Sequence, residues 1–412
     1  MQEEHAGYSQ PQTLPIQAPD SGRPQAAERL VQRAKAEPLS DGGLTTAQLL
    51  SRALRLDPCH HEAQVLQERL HQVSVPRWHF PMLADQARNR AYARAIEAKV
   101  KPGDVVLDIG CGAGLTAMLA ARAGAKHVYT CEQQPLIAAA AEQVIAANGL
   151  SSRITVVPKW SHDIVVGVDI PEPADIVISE IVDTVLLGEG AMATLTHAMS
   201  ALAKPGAQSV PERGALVAEL VESDALLEQW RPQEAEGFDL GAFHRFANVA
   251  QITPNDLAAC NMRALGPAEK LFAFDFTRPD INPARADSVL RCCQTGMAHA
   301  VLVSFTMELA PGIQVDNGLA SGGHWGRTAF LLEQPRPVDP GDRLSVTAQH
   351  DASALSLKIH GMAARVEETA LWLHPDLAAS QPKGAAGGFG VPAHLPGAQG
   401  GAGGDSLGRA VH

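Results

Sequence analysis

The stretch VVLDIGCGAG at residues 105–114 constrains this chain more than any other part of it. An apolar run ends in Asp108 and Ile109 and turns through Gly110, Gly112 and Gly114 into a helical pattern, LTAMLAARAGA. A second strand, HVYTCE, follows and ends at Glu132. Strand, glycine turn, helix and strand make a parallel βαβ unit, which implies an open α/β sheet. Glycine permits a tight turn and a close approach of backbone to ligand. Open α/β sheets bind their ligands beyond the carboxyl ends of the strands. A small-molecule site over Gly110 and Gly112 is the first expectation.

The spacing narrows the ligand. Dinucleotide folds favour G-x-G-x-x-G, where a helix N-terminus receives a pyrophosphate. Here the pattern is G-x-G-x-G with an acid, Asp108, two positions before it. That is similar to the arrangement used for S-adenosylmethionine, which carries no phosphate. Glu132 lies 18 residues beyond Gly114, a length that suits one crossover helix. A carboxylate there can accept hydrogen bonds from both ribose hydroxyls. A glycine turn alone is also compatible with a ligand-free structural turn; Glu132 at a strand end favours the cofactor.

A third βα unit follows (IAAAAEQVIAANGL, then RITVV), and residues 175–180, DIVISE, read as a fourth strand. Its apolar residues do not alternate, as expected for a sheet covered on both faces. After Pro205-Gly206 helical patterns become rare. Segments such as ALVAELVES, AHAVLVSFTMEL, RLSVTAQH and LSLKIHG read as antiparallel strands. The expected organisation is a disordered arm over 1–27, a helical extension over 28–74, an α/β domain over 75–209, a β domain over 210–377, and a flexible Gly/Ala/Pro-rich tail over 378–412. A helix is expected over 82–100. In the extension, Asp57-Pro58 separates two helices. The run from Ala53 to Pro58 resembles a tetratricopeptide core, with an ordinary helical hairpin as the alternative.

Charge bounds the partners. There are 33 basic and 45 acidic residues, a net charge of −12, which argues against direct nucleic-acid binding. No apolar run reaches the ~20 residues that span a bilayer, and the N-terminal residues do not read as a secretory signal. Six cysteines form no CxxC pair, so no metal site or disulfide framework is expected, and a reducing, cytoplasmic setting is.

Two acids follow the fourth strand in SEIVDTVLLGEG: Glu180 and Glu189, nine residues apart. On a helix that separation is about 900°, so they would face opposite ways. On an extended strand it is about 30 Å. Only a loop that folds back aims both carboxylates at one point, and Gly188 and Gly190 make such a loop easy. Two converging carboxylates favour a cation between them, and a guanidinium fork fits. The plain alternative is a pair of solvated loop acids; their position at the cofactor edge favours the first reading.

Over residues 77–375 the chain resembles the protein arginine N-methyltransferases. SEIVDTVLLGEG resembles the family's double-glutamate loop, and Gly323-His324-Trp325 its Thr-His-Trp loop. His79-Phe80-Pro81-Met82-Leu83, with Asp85 and Arg88, matches the helix that folds over the cofactor. The Trp-His-Phe-x-Met-Leu form is similar to the tetratricopeptide-bearing and monomethylating branches. The resemblance implies a Rossmann-like class I methyltransferase domain followed by an antiparallel β-barrel. By the same token Glu180 and Glu189 would grip the substrate guanidinium, and His324 paired with Asp85 would orient the site or relay a proton. Arg88 would bind the cofactor carboxylate, Asp108, Gly110 and Gly112 would line the turn, and Glu132 would hold the ribose. His79 and Met82 would close over the cofactor, and Ser161 would contact adenine. A protein substrate and a homodimer, its helical arm placed at 224–246, follow from the resemblance as well. Asp85 and Arg88, at i and i+3, are also compatible with a simple helix-surface ion pair. The family's tyrosine-rich YFxxY segment is absent, and Gly323 replaces the threonine. Two rival functions share these residues: small-molecule N-methylation on the same fold, and a non-catalytic adaptor with a decayed methyltransferase fold.

Overall fold

The computed structural model describes residues 22–363; the expected tail, residues 364–377 and residues 1–21 lie outside the described residues. Helix α1 spans Gly22–Ala36, so the helical extension begins earlier than the sequence pattern suggested. The reason is packing: Ala27, Val31 and Ala34 form one buried stripe against Leu49, Leu50 and Ala53 of α2 (Leu44–Leu56). Helix α3 (His61–Ser74) follows the Asp57-Pro58 break. The glycine turn between α1 and α2 rests on the start of α7 (Pro135–Ala147): a Cβ on Gly42 would meet the Pro135 ring at 2.5 Å.

The expected single helix over 82–100 is two helices, α4 (His79–Ala84) and α5 (Gln86–Lys99). Asp85 makes the break. Its extended backbone lets the carboxylate accept from the Arg88 amide at 2.9 Å, which caps α5.

The α/β layer then runs β1 (Val105–Ile109), α6 (Leu115–Ala123), β2 (His127–Cys131), α7 (Pro135–Ala147), β3 (Ile154–Val157), β4 (Ala174–Ser179), α8 (Ala191–His197) and β5 (Ala203–Val210). The five strands are all parallel, in the order β3-β2-β1-β4-β5. Both faces are covered, which explains the unalternating apolar strands. Val106 packs with Ile96 of α5 and Ala117 of α6, while Leu107 and Ile109 pack with Ile164, Val177 and Leu202 on the other face.

The antiparallel part is built from β6 (Arg213–Glu222), α9 (Asp224–Trp230), β7 (Glu234–Ala235), β8 (Phe238–Asp239), β9 (Val249–Ile252), α10 (Pro254–Cys260), β10 (Arg263–Ala264), β11 (Glu269–Asp275), β12 (Ala284–Arg291), β13 (Gly296–Ala310), β14 (Ile313–Asp316), β15 (Arg327–Val338), β16 (Arg343–His350) and β17 (Leu355–Ala363). One sheet runs β10-β6-β13-β15-β9, with β11 also on β6 and β14 on β13; the other runs β12-β16-β17. The expected dimerisation arm at 224–246 is helical only in α9; a two-residue-strand hairpin and a 3₁₀ turn, Gly241–Phe246, complete it. Pro232, Gly237 and Gly241 prevent a longer helix.

A single apolar cluster connects the parallel and antiparallel sheets. It runs from Ile96 and Val106 through Leu186 and Val210 to Leu216, Phe305 and Val346. The chain passes from one sheet to the other near residue 210 without a gap in the packing. Loops from both are therefore held against each other as one body.

Candidate active site

The strand order reverses between β1 and β4, and a crevice opens there at their carboxyl ends. Two loops leave this point, the glycine turn after β1 and the acid loop after β4. They touch: a Cβ on Gly110 would lie 2.6 Å from Ile181 Cγ2. Gly110, Gly112 and Gly114 all have positive φ, as the tight turn requires.

A cavity of about 490 Å³ occupies the crevice. Gly110, Gly112, Glu132 and Ser161 line one side, Glu180 and Glu189 another, and His79, Met82 and Arg88 come from α4 and α5. Val73 and Ser74, at the end of α3, also line it, a contribution that the sequence pattern did not signal. The structure thus brings together nine of the twelve residues picked out in the sequence. Asp108, Asp85 and His324 are not among the lining residues.

Glu132 is buried and clamped by two amides, Gly112 N–H at 3.2 Å and Gln134 N–H at 2.9 Å. His79 stacks on Trp78 with ring centroids 4.0 Å apart, and its Nδ1 lies 2.9 Å from the Pro76 carbonyl. Ser161 is buried in the wall beside half-exposed Trp160, whose ring backs onto His162 and through it onto His197.

Asp108 corrects the sequence expectation. Strand alternation turns it toward α6 rather than into the cavity: Oδ2 accepts from Thr130 Oγ1 at 2.6 Å, and Thr116 bonds it from the first turn of α6. Burial, only partly offset by these two hydroxyls, raises its carboxyl to about 6.

Arg88 donates through Nη2 to Glu180 Oε2, with both side chains almost wholly buried, at 4% and 6% exposure. Its Nη1 donates to Asn89 Oδ1 at 2.9 Å, and its Nε has no partner among the described residues. The alternative ion pair between Asp85 and Arg88 is not formed. Asp85 bonds only the backbone amide of Arg88, and its other oxygen accepts from His324 N–H at 3.0 Å and lies 3.1 Å from His324 Nδ1. Both of these side chains are 8% exposed. Trp325 packs its edge on Phe305, 5.2 Å between centroids.

The acid loop folds back as required, by a different device from the one expected. Asp183 Oδ1 accepts from the Val185 and Leu187 amides at 3.0 and 3.1 Å. Leu186 and Glu189 themselves adopt left-handed φ values of 64° and 58°, and only Gly190 of the flanking glycines does. Gly188 serves by its small size, since a Cβ there would lie 2.4 Å from Asp183 Oδ2.

These contacts set the charges. Burial raises the Glu180 carboxyl to about 7; the Arg88 guanidinium opposes this, while Glu189 and Asp85 add to it. Glu189, more open to solvent, is raised by the protein mass around its carboxyl and then by Asp183. Burial would raise Asp85, but the Arg88 amide and His324 hydrogen bonds outweigh it and hold it below the usual carboxylate range. Burial lowers His324, against the pull of Asp85. Cys111 and Cys131 also line the cavity, and burial pushes both thiols up to about 12, so neither is a thiolate nucleophile at neutral pH.

The residues present fit S-adenosylmethionine. The turn offers Gly110 and Gly112 backbone with no Cβ in the way, and Glu132 is held by two amides. Arg88 Nε is a buried donor still lacking an acceptor.

Comparison with known proteins agrees. Residues 91–210 match the family model described as ribosomal protein L11 methyltransferase (PrmA). The arginine N(omega)-methyltransferase of Streptomyces achromogenes subsp. streptozoticus is 38% identical over 274 residues, covering 66% of this chain and 76% of that protein. This chain belongs to the arginine N-methyltransferases. The protein arginine N-methyltransferase 7 of Danio rerio is 32% identical over 314 residues, and the match covers 69% of this chain but 46% of that protein, so the chain spans about half its length. In fold, this arginine N-methyltransferase is similar to the Trypanosoma brucei PRMT1 enzyme–prozyme heterotetrameric complex with AdoHcy. The TM-score is 0.61 at 22% identity, over 69% of this chain and 93% of that one. It is also similar to Arabidopsis thaliana protein arginine methyltransferase 10, with a TM-score of 0.56 at 18% identity, over 70% and 98% of the two chains. S-adenosylmethionine is its methyl donor, and the non-catalytic alternative is set aside.

Proposed function

We propose that this arginine N-methyltransferase methylates a guanidinium nitrogen of arginine residues in a protein substrate. One observation carries the reading: Glu180 and Glu189 line the same cavity as the glycine turn and Glu132, so an acceptor cation held by the acids lies beside the donor.

S-adenosylmethionine supplies an electrophilic methyl group on a sulfonium. The chain does the rest by holding and polarising. Glu132 would accept from the ribose hydroxyls, the Gly110 and Gly112 backbone would back the cofactor, and Arg88 would meet its carboxylate. His79 and Met82 would close over it, and Ser161 would contact the adenine. Glu180 and Glu189 pair with two guanidinium nitrogens and draw positive charge away from the third. A unit pair ~4 Å apart interacts by roughly 4 kcal/mol at an effective dielectric of 20, less what desolvation removes. Fixed alignment contributes the larger share, ~7–11 kcal/mol. The proton leaves late, to Glu189, which lines the cavity as the His324–Asp85 pair does not.

A second reading is favoured by the Streptomyces relative, whose name specifies arginine without specifying a protein: free arginine as acceptor. Labelled S-adenosylmethionine offered with an arginine peptide, its lysine counterpart and free L-arginine separates the two. Methylarginine in the peptide supports the proposal, and label confined to the free amino acid transfers the assignment. Label in the lysine peptide overturns both.

A tetratricopeptide-like role for α1–α3 rests on their helix-turn-helix succession. A homodimer through residues 224–246 rests on exposed Phe238, Phe243 and Phe246. A cytoplasmic setting rests on cysteines that are all unbridged among the described residues. Among those residues no helix is long and apolar enough to cross a membrane.

A further inference from the structure

The acid loop and the loop bearing His324 come from different sheets, so something must fix one against the other. Asn317, just after β14, is 1% exposed and uses its whole side chain. Its Oδ1 accepts from the Phe305 amide of β13 at 2.5 Å. Its Nδ2 donates at 3.0 Å to the Thr184 carbonyl, midway along the acid loop, and at 2.9 Å to the Gly326 carbonyl, two residues after His324. One planar amide thereby joins β13, the acid loop and the histidine loop, and no other side-chain type of its size offers one acceptor and two donors in this arrangement. A second tie lies alongside: Thr184 Oγ1 is 2.9 Å from Thr328 Oγ1. Gly326 is packed so closely that a Cβ would come 2.8 Å from the Ile252 carbonyl. Buried Arg327 holds the rest of the loop through the Trp325 carbonyl at 2.6 Å and the Gly318 carbonyl at 2.9 Å.

We infer that Asn317 is the positioning residue that sets the acid loop against the His324–Asp85 pair, and so sets the geometry of the acceptor site without touching the cofactor cavity. The inference rests on the acceptor role proposed for Glu180 and Glu189. Asn317 does not line that cavity, whereas the loop it holds carries both acids. Displacing that loop disturbs acceptor alignment first.

The test compares Asn317→Ala and Asn317→Asp with the wild type. Acceptor kcat and KM, cofactor affinity by calorimetry and the thermal midpoint are measured on the full chain. In Asn317→Ala, kcat/KM for the arginine acceptor is expected to fall about tenfold or more, toward the ~10²-fold of a ~1 Å misplacement, with cofactor Kd held within about threefold. An equal loss of cofactor affinity points to general loosening and overturns the inference. So does unchanged kcat/KM in a folded variant. Asn317→Asp keeps the shape and the acceptor oxygen but loses the donors, and it decides the matter if the alanine variant fails to fold. Protonation of that carboxylate restores one donor, so its activity relative to wild type is expected to rise as pH falls; a flat ratio overturns the inference. The wild type separates the two levels: its failure to methylate any arginine acceptor removes the reading of the site itself, and the inference with it.

Discussion

Arg88 and Glu180, 92 residues apart in sequence, form a buried ion pair inside the cofactor cavity. A guanidinium therefore already sits on one of the two acids proposed to grip a substrate guanidinium. The pair balances the site: burial pushes the Glu180 carboxyl up to about 7, and Arg88 stops it from rising further. It also leaves Arg88 with a spare donor, Nε, for a second carboxylate.

Glu180→Gln is expected to retain cofactor binding within about threefold and lose most turnover. Removing one partner of a desolvated charge pair costs ~2–5 kcal/mol, about 30- to several-thousand-fold in acceptor kcat/KM. Calorimetry with S-adenosylmethionine, alongside initial rates, measures the split. Near wild-type rates would contradict the gripping role.

The raised carboxyl of Glu180 makes stability depend on pH in a definite direction. Its folded value, about 7, lies above its ordinary 4.5. The folded state thus holds the proton more tightly than the unfolded chain, and stability is lost as pH rises through that window. Without cofactor, the thermal midpoint of the wild type is expected to decline across about pH 4.5 to 7 relative to Glu180→Gln. A difference that stays constant with pH would show that Glu180 is not raised.

Arg88→Met leaves Glu180 facing Glu189 and Asp85 without its cation. The carboxyl should then titrate above its wild-type value, read by carbon NMR of the labelled side chain, and cofactor affinity should weaken about tenfold or more, since breaking a buried pair costs ~3–5 kcal/mol in all. An unmoved titration would remove Arg88 as the controlling charge.

Asp85 has two separable duties. Asn is also a good cap, so Asp85→Asn should preserve the start of α5 while weakening the hold on His324. Asp85→Ala loses the cap too, worth about 1 kcal/mol. Turnover should fall in both, and the thermal midpoint should drop clearly only in the alanine variant. Equal melting of the two would mean that the cap is unimportant.

Gly188→Ala places a Cβ 2.4 Å from Asp183 Oδ2. Asp183 must then move and release the Val185 and Leu187 amides, with a loss of ~1–3 kcal/mol per buried amide left unpaired. Acceptor KM is expected to rise with cofactor Kd nearly unchanged. Gly190→Ala meets open space but a φ of 72°, so its effect should be the smaller.

The linear sequence by itself determined the parallel sheet, the glycine turn, Glu132 at the end of its strand, and the two acids after the fourth strand. Those signals are local: a strand period, a backbone that needs glycine, a spacing matched to one crossover helix. Only the tertiary structure decided that Asp85 breaks its helix and captures His324 from 239 residues away, that Arg88 meets Glu180 instead of Asp85, and that Asp108 turns away from the cavity. It alone revealed Asp183 folding the acid loop and Asn317 joining three segments. The physical reason is that a polar side chain does not encode its partner. Burial makes an unpaired donor or acceptor costly, so most of them find a partner, and which one is within reach depends on how the two sheets share a core.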